Sequence, residues 1–263
     1  MTFDLGSGTV LVTGGASGIG LATVELLLDG GADRCAIIDL NPDPQIIAQL
    51  TERFGDARVV ALACNVSDQD EVHSTVASVA ETGEIAGLVN CAGTLLAKPS
   101  LELTLSDLHR LFDVHVAGSL FTAQAAARSW IASSTPGVIV NVSSVASTFG
   151  WPGRLPYPIA KAGIEALTRT LAVEWARWGI RVNAVAPGSV DSPLMAEGRR
   201  PAGVKPLAEV ADRHALGRVA SASEIAAVIA FLLSTQSSFV TGTVVPVDGG
   251  FNITKDSAKE LAQ

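Results

Sequence analysis

Thr9-Val-Leu-Val-Thr13-Gly14-Gly-Ala-Ser17-Gly18-Ile19-Gly20 decides how the rest of the chain is read. An apolar, β-branched run without alternation is the pattern of a strand covered on both faces. A glycine-rich turn follows, and the segment from Ile19 to Asp29 reads as a helix. Strand, tight turn and helix in that order aim backbone N–H groups and the positive end of a helix dipole at one point. Glycines at 14, 18 and 20, with Ser17 and Ile19 among them, let the backbone approach a pyrophosphate closely. The spacing is G-x-x-x-G-x-G rather than G-x-G-x-x-G. A glycine turn alone also serves packing, so the flanking strand and helix carry the argument for a nucleotide site.

The same alternation continues outward. Strands are predicted at Thr9–Thr13, Cys35–Asp39, Val59–Cys64, Gly87–Asn90, Val138–Val142, Arg181–Val185 and Val244–Val247. Helices are predicted at Ile19–Asp29, Pro44–Phe54, Asp68–Ala80, Leu105–Ser133, Tyr157–Trp178 and Ala222–Leu233. Apolar strands separated by helices predict a parallel sheet covered on both sides. No Pro/Gly/Ser-rich linker divides the 263 residues, so one domain over 1–263 is expected.

Ligands on such sheets bind at the carboxyl ends of the strands. The second strand ends Asp39-Leu40, where a carboxylate accepts from ribose hydroxyls and repels a 2′-phosphate. The nearest base, Arg34, lies at the far end of that strand, so NAD is preferred over NADP. A turn cap is the plainer role for Asp39. Asn65-Val66 and Asn90-Cys-Ala92-Gly93 end the third and fourth strands, with small or amide residues suited to adenine and ribose. Pro187-Gly188-Ser-Val190-Asp-Ser192 ends the sixth with a hydroxyl suited to a carboxamide. Each is common turn chemistry alone; their shared place at strand ends is the stronger point.

Ser144 stands thirteen residues before Tyr157, and Lys161 follows Tyr157 by four. From Tyr157 onward Ile164, Leu167, Leu171, Trp175 and Trp178 mark one apolar helix face, so Tyr157 and Lys161 point the same way. A phenol titrates at about 10, and a nearby cation is expected to lower that towards the working range. Ser144 would hold a substrate oxygen while Tyr157 gives or takes its proton. Met alone, Tyr-x-x-x-Lys is an ordinary solvated helix face.

Composition narrows the classes. A net charge of −8 speaks against a nucleic-acid partner. No apolar run approaches the roughly 20 residues of a bilayer span, and the N-terminus leads into a strand rather than a signal peptide. Cys35, Cys64 and Cys91 read as reduced core thiols, and His73, His109, His115 and His214 lack metal-ligand spacing. A cytoplasmic protein without membrane partner or metal is expected.

Taken together, Thr13-Gly14-x3-Gly18-x-Gly20, Asn90-x-Ala92-Gly93, the Ser144–Tyr157–Lys161 spacing, Pro187-Gly188 and Val247-Asp-Gly-Gly250 stand in family order. From about residue 5 to 251 the chain resembles a classical short-chain dehydrogenase/reductase. The resemblance implies an α/β Rossmann fold with a seven-stranded parallel sheet, NAD(P)-dependent alcohol/carbonyl interconversion and a homotetramer. It also implies that Ser144 orients the substrate, that Tyr157 is the acid/base, and that Lys161 binds the nicotinamide ribose. Val190 and Ser192 would meet the carboxamide. Two positions depart from the family. Asn65 replaces an aspartate, with adenine still expected to be bonded by the amide. His115, in Val114-His-Val-Ala-Gly118, replaces an asparagine thought to anchor a proton-relay water. A histidine titrating near neutrality would relay protons itself, or else is a tolerated replacement.

Residues 191–221 interrupt the strand–helix rhythm and are expected to cover the substrate, with 252–263 a C-terminal tail. Arg199, Arg200, Lys205, Arg213 and Arg218 against Glu197, Glu209 and Asp212 give this flap a net +2. With Arg154 that suits an anionic substrate; a solvated lid is the simpler account. Leu95, Leu96, Phe149, Trp151, Leu155, Leu194 and Met195 are expected to form apolar walls around a medium-sized secondary alcohol. The rival activity is a 3-oxoacyl-thioester reductase, normally NADPH-dependent, against which Asp39 counts. A non-catalytic NAD-binding regulator is suggested by His115 alone.

Overall fold

The computed structural model describes residues 3–198 and 207–253 and contains a seven-stranded parallel sheet in the order β3-β2-β1-β4-β5-β6-β7. The strands are β1 Thr9–Thr13, β2 Arg34–Asp39, β3 Val59–Ala63, β4 Ile85–Asn90, β5 Gly137–Val142, β6 Ile180–Pro187 and β7 Val244–Val247. The helices are α1 Gly18–Asp29, α2 Pro44–Phe54, α3 Gln69–Ala80, α4 Leu105–Phe112, α5 Gly118–Ser133, α6 Pro156–Trp175, α7 Pro193–Gly198, α8 Leu207–Ala211 and α9 Ala222–Leu233.

Two cores explain why the strands show no apolar/polar alternation. Val10, Val12, Cys35 and Ile37 point to one face, against Val24 and Leu27 of α1, Leu50 of α2 and Ile225 and Ile229 of α9. Leu11, Ala36 and Ile38 point to the other, against Val72 and Val76 of α3, Ala126 and Trp130 of α5 and Leu171 of α6. Trp130 is 1% exposed, and its indole N–H donates to the Ile85 carbonyl at 2.7 Å, so the largest ring of that core carries no unsatisfied donor. Strand order reverses between the neighbouring strands β1 and β4, which opens a crevice beyond their carboxyl ends.

The predicted strands Thr9–Thr13 and Val244–Val247 coincide with β1 and β7, and the other five differ from the observed ones by one or two residues at one or both ends. Asp68 caps α3 rather than joining it, its carboxylate accepting from the Asp70 and Glu71 N–H groups, both at 3.0 Å. Between Leu105 and Ser133 the predicted helix is continuous but contains a π turn over Asp113–Ala117, which separates α4, ending at Phe112, from α5, beginning at Gly118. A one-residue widening of this kind leaves the apolar period almost unchanged, so the sequence pattern runs through it. His115 sits inside that turn. The Tyr157 helix starts one residue early, at Pro156, and its end tightens into a 3₁₀ turn over Ala176–Trp178.

Candidate active site

The glycine turn is built by close approach. Gly14 has φ +63°, and a Cβ there would lie 2.8 Å from the Ala92 Cα; one on Gly20 would lie 2.2 Å from the Gly14 carbonyl oxygen. The first turn of α1 carries no acidic side chain, and the N-cap Ser17 makes no side-chain bond to it. Thr13 Oγ1 accepts from the Cys91 and Ala92 N–H groups, both at 3.1 Å, tying β1 to the loop after β4. Asp39 leans over the turn, accepting from the Ala16 N–H at 3.2 Å and the Asn41 N–H at 3.4 Å. Arg34, at the start of β2, donates instead to Thr82 at 2.9 Å.

One cleft of about 1790 Å³ runs from this turn across the sheet ends. Gly14, Ser17, Gly18, Ile19, Asp39, Leu40, Asn65, Val66, Ala92 and Gly93 line one end. Ser144, Tyr157, Lys161, Pro187, Gly188, Val190 and Ser192 follow. Three of the predicted cofactor and catalytic residues do not line it. Gly20 lies behind the turn, where it lets α1 pack on Gly14. Asn90 is 4% exposed and faces α5: its amide N–H donates to Ser119 O and Asn141 Oδ1, and its Oδ1 accepts from Thr122. With both polar atoms consumed, Asn90 welds β4 and β5 to α5 instead of meeting a ligand. His115 is 0% exposed. Asn65 lines the cleft, but its Oδ1 already accepts from the Ser67 N–H and hydroxyl at 3.2 and 2.7 Å, an Asx turn that competes with adenine.

Ser144 ends the loop after β5, where its Oγ accepts from the Ala146 N–H at 3.1 Å. Tyr157 and Lys161 occupy the first turns of α6 on the face towards it, 8% and 4% exposed. Lys161 Nζ donates to the Val142 carbonyl at 2.7 Å and lies 5.5 Å from the Tyr157 ring centre. The expectation of a phenol made acidic by this amine is overturned for the protein alone. Burial pushes the Tyr157 phenol up to about 12, with a hydrogen bond to Ser144 acting the other way, and pulls Lys161 down to about 8. The lysine is committed to a backbone carbonyl, and removal of water is the largest influence on both groups.

Of the two roles expected for His115, relay and tolerated replacement, the geometry favours the second. Its Nε2 lies 3.2 Å from the Thr94 nitrogen and 2.8 Å from the Thr94 oxygen, and its Nδ1 meets no partner among the described residues. Burial, with Lys161 nearby, drives its pKa down to about 3. A ring held neutral by burial is poorly suited to relay protons by titrating. Its ring stands edge-on to Tyr157 at 5.6 Å between centroids, and a Cβ on Gly93 would lie 2.6 Å from its Cε1.

At the other end Leu95, Trp151, Arg154, Leu194 and Met195 line the cleft with Phe149. Phe149 lies 6.4 Å from Trp151, and Trp151 lies 6.0 Å from Tyr157, between ring centres. Arg154 is 8% exposed, with its guanidinium 5.5 Å from the Trp151 ring centre, and burial lowers its pKa. Leu155 is 45% exposed and does not line the cleft, while Leu96 packs with Leu111 and Ala146 behind Tyr157. Arg199, Arg200 and Lys205 lie outside the described residues. Arg213 lines the cleft with Glu209 and Asp212, whereas Arg218 pairs with Glu224 at 2.7 Å at the start of α9. The sequence reading missed Arg110, Asn252 and Phe251, the last 5.3 Å from Phe149 between ring centres. An aromatic directly after the Asp248-Gly-Gly250 turn was the available signal. Among the described residues no group of His, Cys, Asp and Glu is placed to hold a metal, and no helix is long and apolar enough to cross a membrane.

A family model described as enoyl-(acyl carrier protein) reductase matches residues 14–252. The chain is 40% identical over 243 residues to the cis-4-hydroxycyclohexanecarboxylate dehydrogenase of Sinomonas cyclohexanicum, covering 92% of this chain and 95% of that one. It is 34% identical to the 2,5-dichloro-2,5-cyclohexadiene-1,4-diol dehydrogenase of Sphingobium indicum, covering 94% and 98%. A solved short-chain type dehydrogenase/reductase from Mycobacterium marinum superposes with a TM-score of 0.86 at 27% identity, over 96% of this chain and 98% of that one. Sheet order, cleft and relatives agree: the chain is an oxidoreductase of the dehydrogenase type and belongs to the short-chain dehydrogenase/reductase family.

Proposed function

We propose that the protein interconverts a cyclic secondary alcohol and its ketone with NAD, Tyr157 moving the proton. The observation that carries this reading is the cleft itself, which has Asp39 and the glycine turn at one end and Ser144, Tyr157 and Lys161 at mid-length. NAD fits the residues present: Gly14 leaves no room for a side chain, and Asp39 offers a carboxylate to ribose and opposes a 2′-phosphate. Bound NAD supplies nicotinamide C4 as hydride acceptor or donor. The chain does the rest. Ser144 holds the substrate oxygen, Tyr157 gives or takes its proton, and Lys161 supplies positive charge beside the phenol. The apolar end, with Phe149, Trp151 and Phe251, keeps water from a ring. The names of the Sinomonas and Sphingobium relatives both denote hydroxyls on six-membered carbocycles.

A 3-oxoacyl-thioester reductase is the second reading: the matching family model is described by an enoyl-thioester reduction, which shares the acyl thioester but acts on a C=C bond rather than a ketone, and Asp39 opposes it. Cyclic alcohols, ketones and a 3-oxoacyl thioester assayed with both nicotinamide cofactors separate the two. The expected result is turnover of cyclic alcohols with NAD and a loss of roughly 10²–10⁴-fold in Tyr157→Phe, with NADH binding intact. A Tyr157→Phe protein of undiminished activity would overturn the assignment.

A further inference from the structure

His214 belongs to none of the motifs above, yet it is 2% exposed and sits behind the cleft. The Ser189 N–H donates to its Nε2 at 3.0 Å, and its Nδ1 lies 3.1 Å from the Val210 carbonyl oxygen. An Nε2 that accepts requires the proton on Nδ1, so the neutral ring donates to Val210 and accepts from Ser189 at once. One side chain thereby joins the Pro187–Val190 turn to the end of α8. The fit is close. A Cβ on Gly188 would lie 2.8 Å from Nε2, and the Phe251 ring, tilted by 58°, lies 5.2 Å away between ring centres. On the far side the same turn is held by Ala220, whose N–H donates to Ser189 O and whose carbonyl accepts from Asp191, both at 2.9 Å. Gly188 and Ser189 line the cleft from one side of His214, Val210 and Arg213 from the other.

We propose that His214 is a positioning residue that sets the Pro187–Val190 turn for the nicotinamide end of the cofactor and locks it to the substrate-side wall at α8. This rests on the NAD reading, in which that turn faces the carboxamide. Loss of the acceptor would leave the Ser189 N–H without its partner and the turn free to shift. Only the nicotinamide half of the cofactor would feel this, because the adenosine half lies at Asp39.

Two amide variants divide the ring's functions. His214→Asn places its amide near the Nδ1 position and keeps the Val210 bond; His214→Gln reaches the Nε2 position and keeps an acceptor for Ser189. Calorimetric titration of wild type and both variants with NADH and with ADP-ribose, which lacks nicotinamide, reads the difference. The expected result is roughly tenfold weaker NADH binding in His214→Asn with ADP-ribose unchanged, and near wild-type values for both ligands in His214→Gln. Both ligands weakening together, or an unaltered NADH to ADP-ribose ratio in His214→Asn, would overturn the proposal. Wild type binding NADH no more tightly than ADP-ribose would overturn the nicotinamide reading of the cleft itself.

Discussion

Tyr157 and His115 meet edge to face, 5.6 Å between ring centres, in surroundings that disfavour charge on either. Burial raises the phenol to about 12 and lowers the imidazole to about 3. The histidine has a consequence for stability. The unfolded chain takes up its proton below about 6.5, which the native ring refuses until about 3. Its contribution is therefore present above that window and lost as pH falls through it. His115→Asn should make the acid-side fall in unfolding free energy shallower by up to about 1.36 kcal/mol per pH unit. Turnover should stay at least comparable. Denaturant unfolding at several acidic pH values checks the first; identical slopes would mean that the histidine is charged in the native protein. The replacement of asparagine by histidine was legible in the sequence, but its electrical state was not. A residue's spacing says which groups are near, not how much water surrounds them.

The spacing of Ser144, Tyr157 and Lys161 could be read because two of the three share one helix, where four residues bring side chains together. What holds the third against them could not. Glu165, one further turn along α6, accepts from Ser143 Oγ at 3.1 Å and Ser147 Oγ at 2.5 Å, the two hydroxyls flanking Ser144. In sequence Glu165 is one more polar position on a helix. In space it clamps the loop after β5 to the helix bearing Tyr157. Glu165→Ala should lower kcat roughly tenfold with a smaller change in KM, and Glu165→Gln, which keeps an acceptor, should recover most of it. Steady-state kinetics on both variants checks this; equal loss in both would point to the charge rather than the clamp. Asn90 was misread for a related reason. Leu88 faces the α5 side of the sheet, and the two-residue period of a strand then turns Asn90 the same way, away from the cleft.

Across the whole molecule, the sheet and its crevice were legible because seven apolar strands carry the signal and loops do not blur it. The substrate end was legible only in parts. It is assembled from Leu95 after β4, Trp151 after β5, Leu194 after β6 and Phe251 after β7. No local period links segments so far apart in the chain. One feature of the composition makes the central chemistry directly observable: Tyr157 is the only tyrosine in the protein. Near-ultraviolet titration of tyrosinate therefore reports on this phenol alone, with and without saturating NAD. Without cofactor the ring should stay protonated to about 12. With NAD the midpoint should fall by roughly 1–3 units as positive charge enters the cleft beside Lys161. A midpoint unmoved by NAD would leave Tyr157 without the means to exchange its proton and contradict the account.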